Sequence, residues 1–135
     1  MDWNKFNDLK ILIIDDDQFT RELIRTMLKE VPRIIVHQAK DGIEALSMVE
    51  TNKYDMFLLD LYMPRMSGEE FILHLKKNNK LTEFLPVVLI TTDRLSTSEL
   101  KSIGANYYLT KPFDFHNFLN NIYAFFEQEA LFNET

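Results

Sequence analysis

Short apolar runs alternate along this chain with longer stretches whose apolar positions recur at helical spacing. Residues 10–14 ("KILII"), 34–39 ("IIVHQA"), 54–60 ("YDMFLLD"), 85–91 ("LPVVLIT") and 106–110 ("NYYLT") are rich in β-branched, aliphatic and aromatic side chains and read as strands. Between them, Phe19, Leu23, Ile24, Met27 and Leu28 share one apolar helix face, and Ile43, Leu46 and Val49 form a shorter one. Phe71, Ile72 and Leu75 follow Gly68, and Leu100 and Ile103 mark a brief fourth helix stopped by Gly104. Phe115, Phe118, Leu119, Ile122 and Phe126 make the fifth stripe after Asp114, with Phe115, Phe118, Ile122 and Phe126 expected in the core. Five strand–helix repeats predict an α/β domain, and continuous rather than alternating apolar strands predict a parallel sheet covered on both faces. Right-handed crossovers then favour a doubly wound (βα)5, flavodoxin-like sandwich with a five-stranded sheet in the order 2-1-3-4-5.

Composition narrows the picture little further. With 135 residues the chain is expected to form a single domain over 1–135, its core spanning about 9–128, with no output domain. The opening residues lack the apolar core of a signal peptide and no apolar run is long enough to span a bilayer, so a cytoplasmic protein with no membrane partner is expected. Cysteine is absent, which excludes disulfides and thiolate metal sites. The net charge is −6 and Lys and Arg are scattered, so nucleic acid is not an expected partner.

The chemistry gathers at the strand ends. In an open parallel sheet, ligands collect beyond the carboxyl ends of the strands. Strand one runs into Asp15, Asp16 and Asp17, strand three ends at Asp60, strand four at Thr91 and Thr92, and strand five at Thr110, Lys111 and Pro112. Like charges about 4 Å apart repel by about 4 kcal/mol at an effective dielectric near 20. Adjacent acids joined by Asp60 therefore either point into open solvent as solvated strand-end acids or suit a hard cation, and Mg²⁺ is satisfied by one or two carboxylates with waters and phosphate oxygens. Lys111 and the Thr91 hydroxyl suit an anion beside it, and the set describes phosphoryl transfer to a carboxylate.

At these residues the sequence resembles the receiver domain of two-component response regulators. The resemblance covers about residues 9–128 and rests on "ILIIDDD", "AKDGIEAL", "YDMFLLDLYMPRMSGEEFI", "PVVLITT" and "GANYYLTKPF", in order and in register. It implies a signalling domain rather than an enzyme, with Asp60 as phosphoacceptor. Asp16 would bind Mg²⁺ directly, Asp15 through water, and the Tyr62 backbone carbonyl would add a ligand beside Asp60. Lys111 would pair with Asp60 and then with the phosphoryl group, through a cis bond to Pro112. Thr91 and Tyr108 would form the switch, while Tyr62 and Asp93 would tune dephosphorylation. The donor would be a histidine kinase or a histidine phosphotransfer protein. An unidentified downstream protein, or a homodimer through the face of helix four, strand five and helix five, would carry the output.

Two features depart from the family pattern. The Thr91-to-Lys111 interval is short, which predicts an abbreviated fourth helix, and Thr92 stands where a smaller residue is usual. Other readings stand beside these. Thr91 competes as a helix N-cap, and Asp17 is expected to start the first helix, favoured by the helix dipole. Tyr107 is expected as a buried or edge partner of Tyr108. His37, His74 and His116 lack metal-ligand spacing, and Met63 and Met66 read as loop packing. Phe125 lies at the border of the fifth stripe, while Tyr123, Leu131 and Phe132 fall outside it and suit either a partner surface or packing by the C-terminal tail. Trp3 is open between the same readings. A phosphorylation-independent scaffold and a haloacid-dehalogenase-type phosphatase with Asp15 as nucleophile are the alternative functions. The second wants Thr or Val where Phe19 stands, and leaves Asp60 without a role.

Overall fold

The computed structural model describes residues 1–80 and 85–134, the side chains of residues 130–134 excepted. Its five strands are β1 (Lys10–Ile14), β2 (Ile35–Ala39), β3 (Met56–Asp60), β4 (Val87–Thr91) and β5 (Tyr107–Thr110). The helices are α1 (Gln18–Leu28), α2 (Gly42–Thr51), α3 (Gly68–Lys77), α4 (Thr97–Ile103) and α5 (Phe115–Glu134). All strand pairs are parallel, in the order β2-β1-β3-β4-β5, the doubly wound arrangement expected from the apolar pattern. A short 3-10 turn, Trp3–Lys5, precedes the sheet.

The alternation of side chains along each strand divides the core in two. Ile11 and Ile13 of β1, Met56 and Leu58 of β3, and Val88 and Ile90 of β4 face Ile24, Met27 and Leu28 of α1 and Phe118, Ile122 and Phe126 of α5. Leu12, Ile14, Phe57, Leu59, Val87 and Leu89 face the other way, against Ala45 and Val49 of α2 and Phe71, Ile72 and Leu75 of α3. Burying a side chain of this kind contributes about 1.5–3 kcal/mol, so the central strands are fixed in register from both faces. The edge strands β2 and β5 are the exceptions to the continuous-burial expectation: only Ala39 of β2 and Leu109 of β5 are buried, and Ile35 is exposed.

Three residues assigned to apolar faces are not core. Phe19 is 75% exposed, Ile43 53% and Phe115 48%. Each lies in the first turn of its helix, and in a βα unit that turn starts beyond the strand end, where no sheet lies beneath it. Leu23 is also exposed, because Ile24, Met27 and Leu28 define the buried line of α1.

Among the described residues, the aromatic surplus of α5 is covered from the N-terminal side. Trp3 meets Tyr123 edge-on with ring centroids 5.0 Å apart, and Phe6 packs on Tyr123 and Phe126. Lys5 pairs with Glu127. Phe125 stacks on Tyr107 at 4.2 Å and 13°. The expectation for Leu131 and Phe132 lies outside the described side chains. Helix α4 is short, as the spacing predicts; Ser96 and Glu99 form a capping box at its start and Gly104, in the left-handed region at φ 96°, closes it. Its N-cap is Ser96, so the competing role of Thr91 as a helix cap is not realised.

Candidate functional site

The carboxyl ends of β1, β3, β4 and β5 deliver the candidate residues to one rim. Asp15, Asp16 and Asp60 each place a carboxylate oxygen within 4.8 Å of the others. Asp60 ends β3, opposite Ile90, and is 6% exposed; Asp15 is fully buried and Asp16 faces outward. Lys111, whose amide donates to the Thr91 carbonyl, enters from the end of β5 through a cis bond to Pro112. Its Nζ donates to Asp15 Oδ2 at 3.1 Å and stands 3.7 Å from Asp60 Oδ1. The amine thus lies between the two buried acids and closer to Asp15 than the resemblance implies.

Asp15 is held on all sides. Its Oδ1 accepts the Asp17 amide at 2.9 Å, its Oδ2 accepts Lys111, and its carbonyl accepts Arg21 at 2.7 Å. Asp17 caps α1 as expected, accepting the Phe19 amide and the Thr20 hydroxyl. Asp60 is less well served, taking only the long 3.4 Å bond from the Tyr62 amide. Burial first, and the nearby Asp15 charge second, push its carboxyl up to about 7 despite Lys111.

An all-oxygen set of three acids suits a hard cation and not a soft one. The residues present therefore fit Mg²⁺.

The remaining candidates lie around this centre. Thr91 is buried, and its Oγ1 accepts the Asp93 amide at 3.1 Å. The Asp93 carboxylate in turn accepts the Tyr62 hydroxyl at 2.5 Å, so the two expected tuning residues are bonded to each other across the mouth. That bond holds the phenol in its neutral form and raises its pKa. Thr92 is exposed, outside the buried set. Tyr108 is half-buried against the α3 and α4 side of the core, whereas Tyr107 lies on the α5 side and donates to Glu129. His37 bonds Tyr54 and joins no acidic cluster among the described residues. For the phosphatase alternative, both Asp15 oxygens are engaged.

Sequence reasoning missed three residues that shape the site. Arg21 ties the β1–α1 turn to Gln38 of β2 as well as to Asp15. Asp41, 4% exposed, caps α2 and pairs with Arg65 of the β3–α3 loop at 2.6 Å. The "DG" at 41–42 signals a helix start, but nothing local to Arg65 names a partner 24 positions away.

Known proteins place this geometry. The family model for the response regulator receiver domain matches residues 11–123. The chemotaxis protein CheY-3 of Vibrio cholerae serotype O1 is 32% identical over an alignment of 108 residues that covers 78% of this chain and 82% of that protein. The chemotaxis response regulator CheY4 of Vibrio cholerae has a TM-score of 0.79 at 28% identity, covering 88% of this chain and 99% of that one. The receiver domain of Francisella response regulator 1452 has a TM-score of 0.74 at 29% identity, covering 89% and 98%. No helix among the described residues is long and apolar enough to cross a membrane. A rim that joins strand-end acids, lysine and threonine on this topology, together with these matches, makes the chain a CheY-like member of the response regulator receiver family.

Proposed function

We propose that this domain is a phosphorylation switch in which Asp60 accepts a phosphoryl group from a histidine kinase or a histidine phosphotransfer protein. The observation that carries the reading is the meeting of Asp15, Asp16 and Asp60 within 4.8 Å with Lys111 between two of them. An Asp60 carboxylate oxygen forms the new bond to phosphorus while the bond from phosphorus to the donor's imidazole nitrogen breaks and leaves its electron pair there. Asp16, Asp60 and the Tyr62 carbonyl would hold Mg²⁺ directly and Asp15 through water, and the ion would neutralise the phosphoryl oxygens. Lys111 then moves its charge from Asp15 toward the transferred group. The Thr91 hydroxyl leaves the Asp93 amide for a phosphoryl oxygen, and Tyr108 follows it inward. Intact-mass measurement after incubation with acetyl phosphate and Mg²⁺ tests the reading: one phosphate adduct, abolished by a chelator, is expected, and no adduct in conditions that label another receiver would overturn it.

The exposed first-turn aromatics supply the donor's contact. Phe19 lies two residues beyond the Asp17 cap and Phe115 four beyond Lys111, both on the rim that carries the acids. Truncating an aromatic anchor in an interface typically removes about 2 kcal/mol or more. Phe19→Ala is therefore expected to slow transfer from a phosphorylated donor protein about thirtyfold while leaving labelling by acetyl phosphate unchanged. Equal losses with both donors would remove Phe19 from the interface. Output through a downstream protein, or a homodimer, would use the face of α4, β5 and α5, where Tyr107, Tyr108 and Phe125 are all half-buried.

The Tyr62–Asp93 bond bears on the phosphate's lifetime. Hydrolysis needs a water in line behind phosphorus, and in this reading the phenol, tied to Asp93, shields that approach. Tyr62→Phe keeps the ring but frees it from Asp93, so acyl-phosphate loss is expected to quicken about threefold. A lifetime unchanged in Tyr62→Phe, followed by loss of adduct mass, would show that the bond does not shield the site.

A further inference from the structure

The β3–α3 loop is fastened at its base and again at its crest. The Gly68 amide donates to the Leu61 carbonyl at 2.9 Å, closing residues 61–68 into a ring. A Cβ on Gly68 would meet the Asp60 carbonyl oxygen at 2.6 Å, so only glycine permits that closure. At the crest, two successive residues engage two successive residues of the α2 start. Met66 lies on Gly42, where a Cβ would meet its Sδ at 2.6 Å, and Arg65 pairs with the buried Asp41.

Arg65 does this from an unfavourable backbone. Its φ is 69°, in the left-handed region that glycine adopts freely and a branched or long side chain does not. Strain of this kind persists only where the surroundings over-determine it. Here the guanidinium neutralises a carboxylate that otherwise has only the Glu44 amide at 2.8 Å. Tyr62 lies inside the same closed ring, one residue from its base.

We infer that Arg65, acting through Asp41, is a positioning residue that fixes the β3–α3 loop so that the Tyr62 carbonyl faces the cation site. The inference rests on the Mg²⁺-dependent reading of that site. Loosening the crest lets the ring rock about its base, and the carbonyl then loses its fixed direction. Outer partners of metal ligands typically contribute 10- to 100-fold in affinity, and an indirect strap through backbone belongs at the low end.

The test is titration of the metal-free protein with MgCl₂, following the amide resonances of Asp16, Tyr62 and Met63, with thermal melting measured alongside. Arg65→Ala is expected to weaken Mg²⁺ binding about tenfold. Arg65→Gly removes the strained conformation along with the ion pair, so it is expected to melt close to the parent yet bind Mg²⁺ as weakly as Arg65→Ala. Asp41→Asn preserves the α2 cap, since Asn caps as well as Asp, and should match the Arg65 variants; combining it with Arg65→Ala should add little further loss. Arg65→Lys should restore part of the affinity. Parent-like Mg²⁺ affinity in Arg65→Gly and Asp41→Asn would overturn the inference while leaving the site reading intact. Failure of the parent itself to bind Mg²⁺ would overturn both.

Discussion

Asp60→Asn is expected to abolish the phosphate adduct completely and, in the absence of Mg²⁺, to raise the melting temperature. The first effect follows from the loss of the only acid in the cluster that is buried, central and lightly hydrogen-bonded. Asp15 cannot replace it, because Lys111, the Asp17 amide and its own burial engage both of its oxygens. The second effect follows from electrostatics. The Asp60 carboxylate is buried with the Asp15 charge nearby, and its carboxyl titrates at about 7 rather than near 3.8. Between those values the folded protein holds a proton that the unfolded chain releases, so the contribution of Asp60 to stability is fully present below about 3.8 and is lost as pH rises through about 7. Asparagine removes the charge, and a gain of about 1–2 kcal/mol at neutral pH, equivalent to about 5 °C, is expected. Melting curves at pH 5 and pH 8 without Mg²⁺ check the sign: the parent should lose more stability than Asp60→Asn over that interval. Added Mg²⁺ should raise the parent's melting temperature more than the variant's. A variant that melts below the parent under every condition would refute the account of an acid cluster held under repulsion.

Lys111→Ala is expected to have the opposite effect on stability and a comparably severe one on phosphorylation. The amine is the one cation within reach of both Asp15 and Asp60 among the described residues. Removing it leaves a fully buried Asp15 carboxylate with the Asp17 amide alone on its side chain. Breaking a buried pair typically costs about 3–5 kcal/mol, but Lys111 is 24% exposed and water will take part of its place. A loss of about 2 kcal/mol, or about 7 °C, is expected in the metal-free protein. The rate of labelling by acetyl phosphate should fall about 100-fold or more, the scale on which a fixed donor to a developing anion acts. Stopped reactions resolved by intact mass check the rate, and calorimetry checks the stability. Lys111→Arg restores charge in a planar, differently directed form, and should recover stability better than rate.

The rim was legible in the sequence because strand ends are legible. Apolar runs that stop at Asp15, Asp60, Thr91 and Lys111 mark one edge of the sheet, and parallel topology brings that edge together. The errors share a physical cause. Helical periodicity reports which side of a helix is apolar, but not where along its axis the sheet ends, so Phe19 and Ile43, on apolar faces, and Phe115, expected in the core, are all exposed. Their exposure is what gives the rim apolar contacts. Specific polar contacts, such as Arg65 with Asp41 across 24 positions or Arg21 with the Asp15 carbonyl, leave no periodic trace at all. The cover over Tyr123 was equally hidden, since it depends on Trp3 and Phe6, at the start and the C-cap of a 3-10 turn that precedes the first strand.

That cover gives the molecule a built-in optical probe. The chain has one tryptophan, and its indole is seated on Tyr123 and Phe6 rather than among the acids of the rim. Emission from Trp3 will therefore report the seating of the N-terminal turn on α5 and pass over events at Asp60. A shift to longer wavelength that precedes loss of helical circular dichroism on heating would reveal the turn lifting before the sheet melts. Coincident transitions would make it part of the same cooperative unit.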